Sequence, residues 1–363
     1  MEVMFLQNII SYVKENNKTI AETPLQEVDM LIFSMLAYLK YQKLVPAVGS
    51  HHTAMSFRFF KRRKDFESLF VGARPEKDLR LLYDAVAASR RFRNLKLNYY
   101  CDLVDLEQEM QFSAVVFFLD DMTVVTFRGT DETLVGWKED FNMTYRSPVP
   151  CQEESVRYLC AVAGQLSEKL ILVGHSKGGN LAIYAGKECG AEIQERITEI
   201  HCFDGPGFRD NVYQEPGYLA IRDRICKIVP VASFVGMMLQ NDTNYRVVKS
   251  RSLGLFQHDP FYWIVTDGHF EFAERIHRTT MSQNDTINAW ISKLTIEQQQ
   301  TLVDTLYNVL LASEATTVND FKELKRENML AVLNSFKQID KETKRMLRQI
   351  ISMLFKKNRE DAE

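Results

Sequence analysis

The sequence predicts an α/β fold in which helices cover both faces of a mostly parallel β-sheet. Between about residues 110 and 250, short apolar runs rich in β-branched residues alternate with segments of helical period. Such alternation is typical of a parallel sheet that is buried on both faces. Helical periodicity dominates both ends of the chain. We therefore expect a helical N-terminal extension packing on the core (1–90), an α/β core (91–270) and a helical C-terminal region (271–363).

The N-terminal extension carries two helix signals. In the first, Thr23 offers an N-cap, Pro24 takes the first helical position and Gln26 completes a capping box. Apolar residues at helical spacing follow as far as Leu39. The second signal is an apolar stripe over residues 79–86. We expect one helix to begin at Thr23 and the other to end before residue 90.

The core begins with a predicted hairpin and continues with alternating elements. Two β-rich runs, 112–119 and 123–127, flank the turn pair Asp120-Asp121. The elements predicted after the hairpin are a helix over 154–168, a strand over 170–173, a helix over about 180–188, and strands over 197–203, 225–229 and 245–248.

Two helices are predicted in the C-terminal region. The first follows a capping box formed by Thr295 and Gln298. The last has an apolar stripe at Met346, Leu347, Ile350, Ile351 and Leu354, and basic residues at Lys344, Arg345, Arg348, Lys356 and Lys357. A basic amphipathic helix can lie on a membrane. Packing against the body of the protein is the more common arrangement, and we favour it.

Composition excludes several classes of protein. The chain has 363 residues, 45% hydrophobic and 26% charged, with a net charge of −3, so nucleic acid is not an expected partner. The six cysteines form no CxxC pair and predict free thiols in a reducing compartment. The N-terminus lacks the pattern of a signal peptide, and the apolar run 228–239 is too short to span a bilayer. We expect a cytoplasmic protein without metal or organic cofactor.

The strongest chemical signal is the glycine-rich turn at residues 173–182 (Val-Gly-His-Ser-Lys-Gly-Gly-Asn-Leu-Ala). A nucleophile elbow requires a buried strand, a sharp turn that exposes a serine, and a helix that begins at once. Glycines two residues before and after Ser176 satisfy the close approach of strand and helix. A phosphate loop would need lysine and Ser/Thr after its last glycine, and a dinucleotide fingerprint would need Gly-x-Gly. Ser176 is therefore the predicted nucleophile.

At these residues the sequence resembles the class 3 (fungal-type) lipases, which have the α/β-hydrolase fold. The resemblance rests on the elbow, on residues 127–130 (Phe-Arg-Gly-Thr), and on Trp137 and Asp140. It is closer to a group of lipase-like bacterial proteins that share the elbow and the motifs at 203–207 (Phe-Asp-Gly-Pro-Gly) and 257–260 (Gln-His-Asp-Pro). The resemblance covers about residues 25–270.

The resemblance implies an oxyanion hole. Thr130 would offer its N–H and hydroxyl to the developing oxyanion, and the N–H of Lys177 would be the second donor. We expect Arg128 and Asp140 to form a structural ion pair below this site. Lys177 stands where the lipases usually carry leucine, so we also expect that its charge could attract an anionic head group or a free carboxylate.

Four histidines follow Ser176, and one of them must act as the base if the triad order is serine, acid, histidine. His201 lies within an apolar strand and is interpreted as a core residue. His269 and His277 come at the start of the helical tail. His258 follows the last core strand by a loop, and we predict it as the base, with His269 as the alternative.

The acid is harder to place. The lipases carry it near a Val-Pro pair after the second strand beyond the elbow, but the corresponding segment, 229–233 (Val-Pro-Val-Ala-Ser), has no carboxylate. We predict Asp204, at the end of the preceding strand, and keep Asp242 and Asp259 as alternatives. Apolar residues that follow, namely Phe234, Val235, Met237, Met238 and Leu239, are interpreted as an acyl-pocket wall or as an ordinary core helix.

The predicted function is hydrolysis of a carboxylic ester through an acyl-enzyme on Ser176. An acyl-ester or lipid substrate follows from the resemblance alone, and thioester cleavage or acyl transfer would use the same residues. The alternative from another class is a non-catalytic binding or scaffolding protein on a degenerate hydrolase fold. Peripheral membrane contact is not favoured, and the oligomeric state is not predicted.

Overall fold

A computed structural model of the chain describes residues 7–312, apart from 51, 74, 132 and 241, together with residues 341, 343–345 and 348. Its helices are α1 (Ile9–Glu15), α2 (Glu27–Leu36), α3 (Glu76–Ala88), α4 (Leu134–Asn142), α5 (Pro150–Ala163), α6 (Lys177–Glu188), α7 (Ala191–Arg196), α8 (Pro216–Ile221), α9 (Arg278–Ile291) and α10 (Ile296–Ala312). Its strands are β1 (Met55–Ser56), β2 (Lys96–Asp105), β3 (Met110–Leu119), β4 (Met122–Phe127), β5 (Leu170–His175), β6 (Ile197–Phe203), β7 (Ile225–Pro230), β8 (Arg246–Val248), β9 (Val265–Thr266), β10 (His269–Phe270) and β11 (Phe272–Ala273).

The main sheet has the strand order β1-β2-β3-β4-β5-β6-β7-β8-β11. Strands β4 to β8 are parallel to one another, whereas β1, β2 and β3 pair antiparallel at one edge and β11 at the other. The predicted α/β-hydrolase fold, with a mostly parallel sheet, is confirmed. Strands β1 and β11 extend this sheet from the regions 1–90 and 271–363.

Alternate residues of the central strands pack into two separate hydrophobic layers, one on each face of the sheet. Along β5, Ile171 and Val173 pack on the side covered by α1, α2 and α3, whereas Leu170 and Leu172 pack on the side covered by α5 and α6. This division follows from the period of two along a strand. The helices therefore cover both faces of the sheet, and the carboxyl ends of the parallel strands meet at one edge.

The first helix of the predicted pair begins later than the sequence indicates. Helix α2 starts at Glu27 with Gln26 as its N-cap, so the prediction of Thr23 as N-cap is wrong. The reason lies outside the segment, since the buried guanidinium of Arg91 donates to the carbonyls of Thr23 and Pro24 at 2.9 and 3.0 Å. Because those carbonyls accept hydrogen bonds from Arg91, they are not used within the helix, which begins after them. The second predicted helix corresponds to α3.

The predicted hairpin is confirmed, with Leu119 opposite Met122 across a two-residue turn. One long strand, β2, was not predicted. A register shift between Asn98 and Cys101 interrupts its pairing, and Tyr99 has a φ of 58°, so its pattern of alternation is broken. Helix α5 begins before the predicted start at residue 154 and ends before the predicted end at residue 168.

The C-terminal capping box is confirmed, because the Thr295 N–H donates to Gln298 Oε1 at 2.8 Å and the Gln298 N–H donates to Thr295 Oγ1 at 3.2 Å. The predicted last helix, whose apolar stripe runs over 346–354, lies largely outside the described residues. In the part of the chain that the structure describes, no helix combines the length and apolarity needed to cross a bilayer.

Candidate active site

Ser176 lies in a strained turn between β5 and α6. Its φ of 58° and ψ of −134° belong to a conformation that L-residues rarely adopt. The turn closes only because the adjacent glycines lack side chains. A Cβ on Gly174 would lie 2.1 Å from the backbone of Gly178, and a Cβ on Gly178 would lie 2.1 Å from the carbonyl oxygen of Phe127. Strand, turn and helix thus meet in the geometry of a nucleophile elbow.

Ser176, His258 and Asp204 form a continuous series of hydrogen bonds. His258 Nε2 lies 3.0 Å from Ser176 Oγ, and His258 Nδ1 lies 2.6 Å from Asp204 Oδ2. Because a carboxylate can only accept, Nδ1 carries the proton that it donates to Asp204. Nε2 is then the acceptor for the Ser176 hydroxyl. The structure brings together the three residues that the sequence predicted as nucleophile, base and acid.

Asp204 is held at the end of β6 by residues of β7 and of the loop that follows β7. It is fully buried, its N–H donates to the Ile228 carbonyl at 2.8 Å, and Ser233 Oγ donates to its Oδ1. A Cβ on Gly236 would lie 2.2 Å from that same oxygen. The segment 229–233, which lacks the expected carboxylate, therefore contributes a hydrogen-bond donor to Asp204, and Gly236 beyond it contributes a close backbone.

The alternative residues have other environments. Asp242 accepts from Tyr218 Oη at 3.0 Å and lies 3.4 Å from Arg222, and Asp259 Oδ1 accepts from the Phe261 N–H at 3.0 Å. His201 is buried in β6, 2.7 Å from Glu199, in agreement with its interpretation as a core residue. His269 lies exposed in β10.

The loop after β4 reaches the nucleophile at Gly129. A Cβ there would lie 3.1 Å from Ser176 Cβ and 2.7 Å from the His175 carbonyl oxygen. The next residue, Thr130, donates its hydroxyl to Asp140 Oδ2 at 2.6 Å. Lys177 is the first residue of α6, where a backbone N–H has no acceptor within the helix. The two predicted oxyanion donors thus belong to segments that both adjoin Ser176.

Two expectations about charged residues near the site are wrong. Arg128 pairs with Asp102 at 3.0 Å and Asp131 at 3.3 Å rather than with Asp140. Asp140 instead lies 3.8 Å from the ammonium of Lys177. The side chain of Lys177 is only 1% exposed, so its charge faces the interior and is not available to an anionic head group.

His175 is a further residue of the site that the sequence analysis left without a role, although it lies within the elbow motif. Its Nε2 donates to the main-chain carbonyl of His258 at 2.9 Å, and its Nδ1 accepts from Tyr38 Oη at 3.0 Å. The two imidazole rings lie 4.7 Å apart. Burial, followed by the proximity of His258, holds the pKa of His175 well below its usual value. A neutral His175 therefore connects the elbow to the turn that carries His258.

The apolar segment after β7 is not a regular helix. Met237 packs with Val229, Val231 and Val247 in a small buried cluster, and the Gly207 N–H donates to the Met238 carbonyl at 2.8 Å. Among the described residues, no group of His, Cys, Asp or Glu side chains is arranged to hold a metal ion.

Comparisons with solved structures find distant likenesses, among them to lipases. The chain is 13% identical to M37 lipase over 59% of its own length and 70% of that chain, with a TM-score of 0.37. It is 15% identical to a fungal lipase in an inhibitor complex, over 53% and 77% of the two chains, with a TM-score of 0.35. It is 11% identical to a mutant form of MDLA from Penicillium cyclopium, over 67% and 82%, with a TM-score of 0.36.

A search of curated proteins finds no match. The family described as Mbeg1-like matches residues 86–308, which include β3 to β8 and each of Ser176, Asp204 and His258. Because this match covers more than half of the sequence, the chain belongs to the Mbeg1-like family.

Proposed function

We propose that this chain is a serine hydrolase that cleaves a carboxylic ester through an acyl-enzyme on Ser176. The observation that carries the proposal is the hydrogen-bonded series from Ser176 Oγ through His258 to Asp204. The strained φ of Ser176 and the helix that begins directly after it support the same proposal, because both place the hydroxyl beside backbone N–H groups.

The positions of these atoms support the following reaction. Ser176 Oγ attacks the ester carbonyl while His258 Nε2 takes the hydroxyl proton, and the carbonyl oxygen becomes an oxyanion. The intermediate collapses when the C–O bond to the alcohol breaks and His258 returns the proton to the leaving oxygen. A water molecule then attacks the acyl carbon while His258 takes its proton. The bond between the acyl carbon and Ser176 Oγ breaks as His258 returns the proton to Oγ, and the carboxylic acid leaves.

Asp204 and the backbone donors have supporting roles in this mechanism. Asp204 fixes the tautomer of His258 and stabilises the imidazolium that forms after proton transfer. The N–H groups of Thr130 and Lys177 are the proposed oxyanion donors, and loss of one such donor typically costs about 2.7–4 kcal/mol of transition-state stabilisation.

The proposed substrate class is an acyl ester or lipid. It rests on the resemblance to lipases, and thioester cleavage or acyl transfer would need the same groups at the acyl carbon. We also propose a cytoplasmic location. All six cysteines are free thiols in the structure, which supports a reducing compartment.

Hydrolysis of p-nitrophenyl esters of increasing acyl length tests the proposal. We expect turnover by the wild type, and a loss of roughly 10³–10⁶-fold in Ser176→Ala because the acyl-enzyme cannot form. Ser155→Ala is the matched control, since Ser155 is a buried serine whose hydroxyl donates to Gln152 within α5, and it should retain activity. A folded wild type that cleaves no ester or thioester would favour a binding protein on this fold.

A further inference from the structure

We propose that Lys177 is a positioning residue for the oxyanion site, and that its buried ammonium ties the nucleophile elbow to the two carboxylates of α4 and thereby holds Thr130 beside Ser176. The proposal rests on the proposed function, because it concerns the geometry of the same site. It assigns a task to the side chain of a residue whose backbone N–H is itself a proposed donor.

The ammonium of Lys177 is fully satisfied below the site. Nζ lies 2.9 Å from the Gln111 carbonyl oxygen, 3.3 Å from Gln111 Oε1 and 3.0 Å from Glu139 Oε2. An ammonium has three protons to donate, and three acceptors surround it. The side chain therefore joins the start of α6 to the start of β3 and to α4.

Glu139, the ion-pair partner of Lys177, is itself held by several hydrogen bonds. Its side chain is fully buried, Oε2 also accepts from the Gln111 N–H at 3.0 Å, and Oε1 accepts from the Cys151 N–H at 2.9 Å. One carboxylate thus fixes α4 relative to β3 and α5. Removing both charges from water is costly, and an apolar pair of similar volume often stabilises a fold equally well. Stability alone therefore does not account for the pair, whereas a requirement for fixed geometry does.

Asp140, the neighbour of Glu139 on α4, connects this ion pair to Thr130. Its Oδ2 accepts the Thr130 hydroxyl at 2.6 Å, and its buried Oδ1 lies 3.8 Å from Lys177 Nζ without a hydrogen-bond partner among the described residues. An ionised carboxylate only accepts, so the hydroxyl proton of Thr130 is committed to Asp140. The Thr130 N–H is then the donor that remains for the oxyanion.

The charge of Lys177 also favours the ionised form of Asp140. Burial is the largest influence on the pKa of this carboxyl and raises it, the charge of Lys177, the Thr130 hydroxyl and the interaction with His258 lower it, and the charge of Glu139 raises it, so that the pKa lies at about 6. Tyr38 also interacts electrostatically with Asp140. Without the ammonium, Asp140 would be protonated at a higher pH, and its contact with Thr130 would change from acceptor to donor.

Steady-state kinetics of Lys177→Met in the intact chain tests the proposal. We expect kcat to fall roughly 10- to 100-fold with little change in KM, because a displaced oxyanion donor acts on the transition state. We also expect the acidic limb of the pH–kcat profile to move to higher pH. In a Thr130→Val background, where the Asp140 contact is already lost, Lys177→Met should cause little further loss.

Lys187→Met is the matched control. Lys187 lies on the same helix, its side chain is only 3% exposed, and it pairs with Glu188 and Glu215 away from the elbow. It should also lose stability, by a smaller amount because its partners are partly exposed, while keeping the wild-type kcat and pH profile. If Lys177→Met does not fold, Glu139→Gln tests the same link, because it removes the charge from the carboxylate that holds α4, and it should lower kcat in the same way.

Two results would overturn the proposal. One is an active wild type whose Lys177→Met variant keeps kcat and its pH profile. The other is a loss of the same factor with and without Thr130→Val, which would mean that Lys177 acts elsewhere. A wild type that is folded but inactive would instead contradict the proposed function, and the positioning role would fall with it.

Discussion

The surroundings of Asp204 direct one oxygen of its carboxylate to His258. Its Oδ1 accepts from Ser233 and faces Gly236, so only Oδ2 is directed at His258 Nδ1. Full burial removes competing water from both oxygens. The local φ of 48° turns the chain at the end of β6 so that the side chain points to the edge where Ser176 lies.

Asp204→Asn is expected to lower kcat by roughly 10³–10⁴-fold with KM nearly unchanged. The amide would donate to His258 Nδ1 and stabilise the tautomer in which Nε2 carries the proton, so Nε2 could not accept from Ser176. Turnover of a p-nitrophenyl ester measures the effect. Asp242→Asn and Asp259→Asn are the controls and should stay within a few-fold of wild type. A near-normal Asp204→Asn would remove this residue from the mechanism.

At the scale of elements, the elbow does more than present Ser176. The residue before the nucleophile, His175, reaches across to the turn Gly254–His258 and holds its last carbonyl, while α2 is linked to the same imidazole through Tyr38 just after its end. His258, the proposed base, is therefore the last residue of a short 3₁₀ turn, and His175 of β5 holds this turn in place by a hydrogen bond. This arrangement couples the stability of the elbow to the protonation of His175.

Folding stability should fall as pH decreases below about 6.5, the usual pKa of histidine in an unfolded chain. The folded-state pKa of His175 is depressed, so the unfolded chain binds the proton first, and up to about 1.4 kcal/mol is lost per pH unit until the folded pKa is reached. Urea unfolding of wild type and His175→Gln between pH 7 and 5 measures it. Glutamine can keep both hydrogen bonds but cannot titrate.

The raised pKa of Asp140 acts in the opposite sense, because it makes stability fall as pH rises toward 6. Wild type and His175→Gln share this contribution, so the difference between their stabilities reports on His175. We expect His175→Gln to show the flatter dependence. His269→Gln is the control, because His269 is exposed, and it should follow the wild type. Parallel curves for wild type and His175→Gln would refute the coupling.

At the scale of the whole molecule, the sequence predicts what local patterns encode and misses what distant contacts decide. The elbow at Ser176 was readable because strand, glycines and helix are contiguous. The direction of the Lys177 side chain was not, since its acceptors on β3 and α4 lie 66 and 38 residues away. The start of α2 was misplaced for the same reason, because Arg91 binds the carbonyls of Thr23 and Pro24 from 68 and 67 residues away.

Labelling of the intact chain with a fluorophosphonate, followed by mass spectrometry of its peptides, tests the central claim most directly. The probe reacts with a serine that an adjacent base activates. We predict one adduct, on Ser176 of the wild type and of Ser155→Ala, with no adduct in Ser176→Ala and strongly slowed labelling in His258→Ala. A folded wild type that remains unmodified, or one modified only at another serine, would contradict the account.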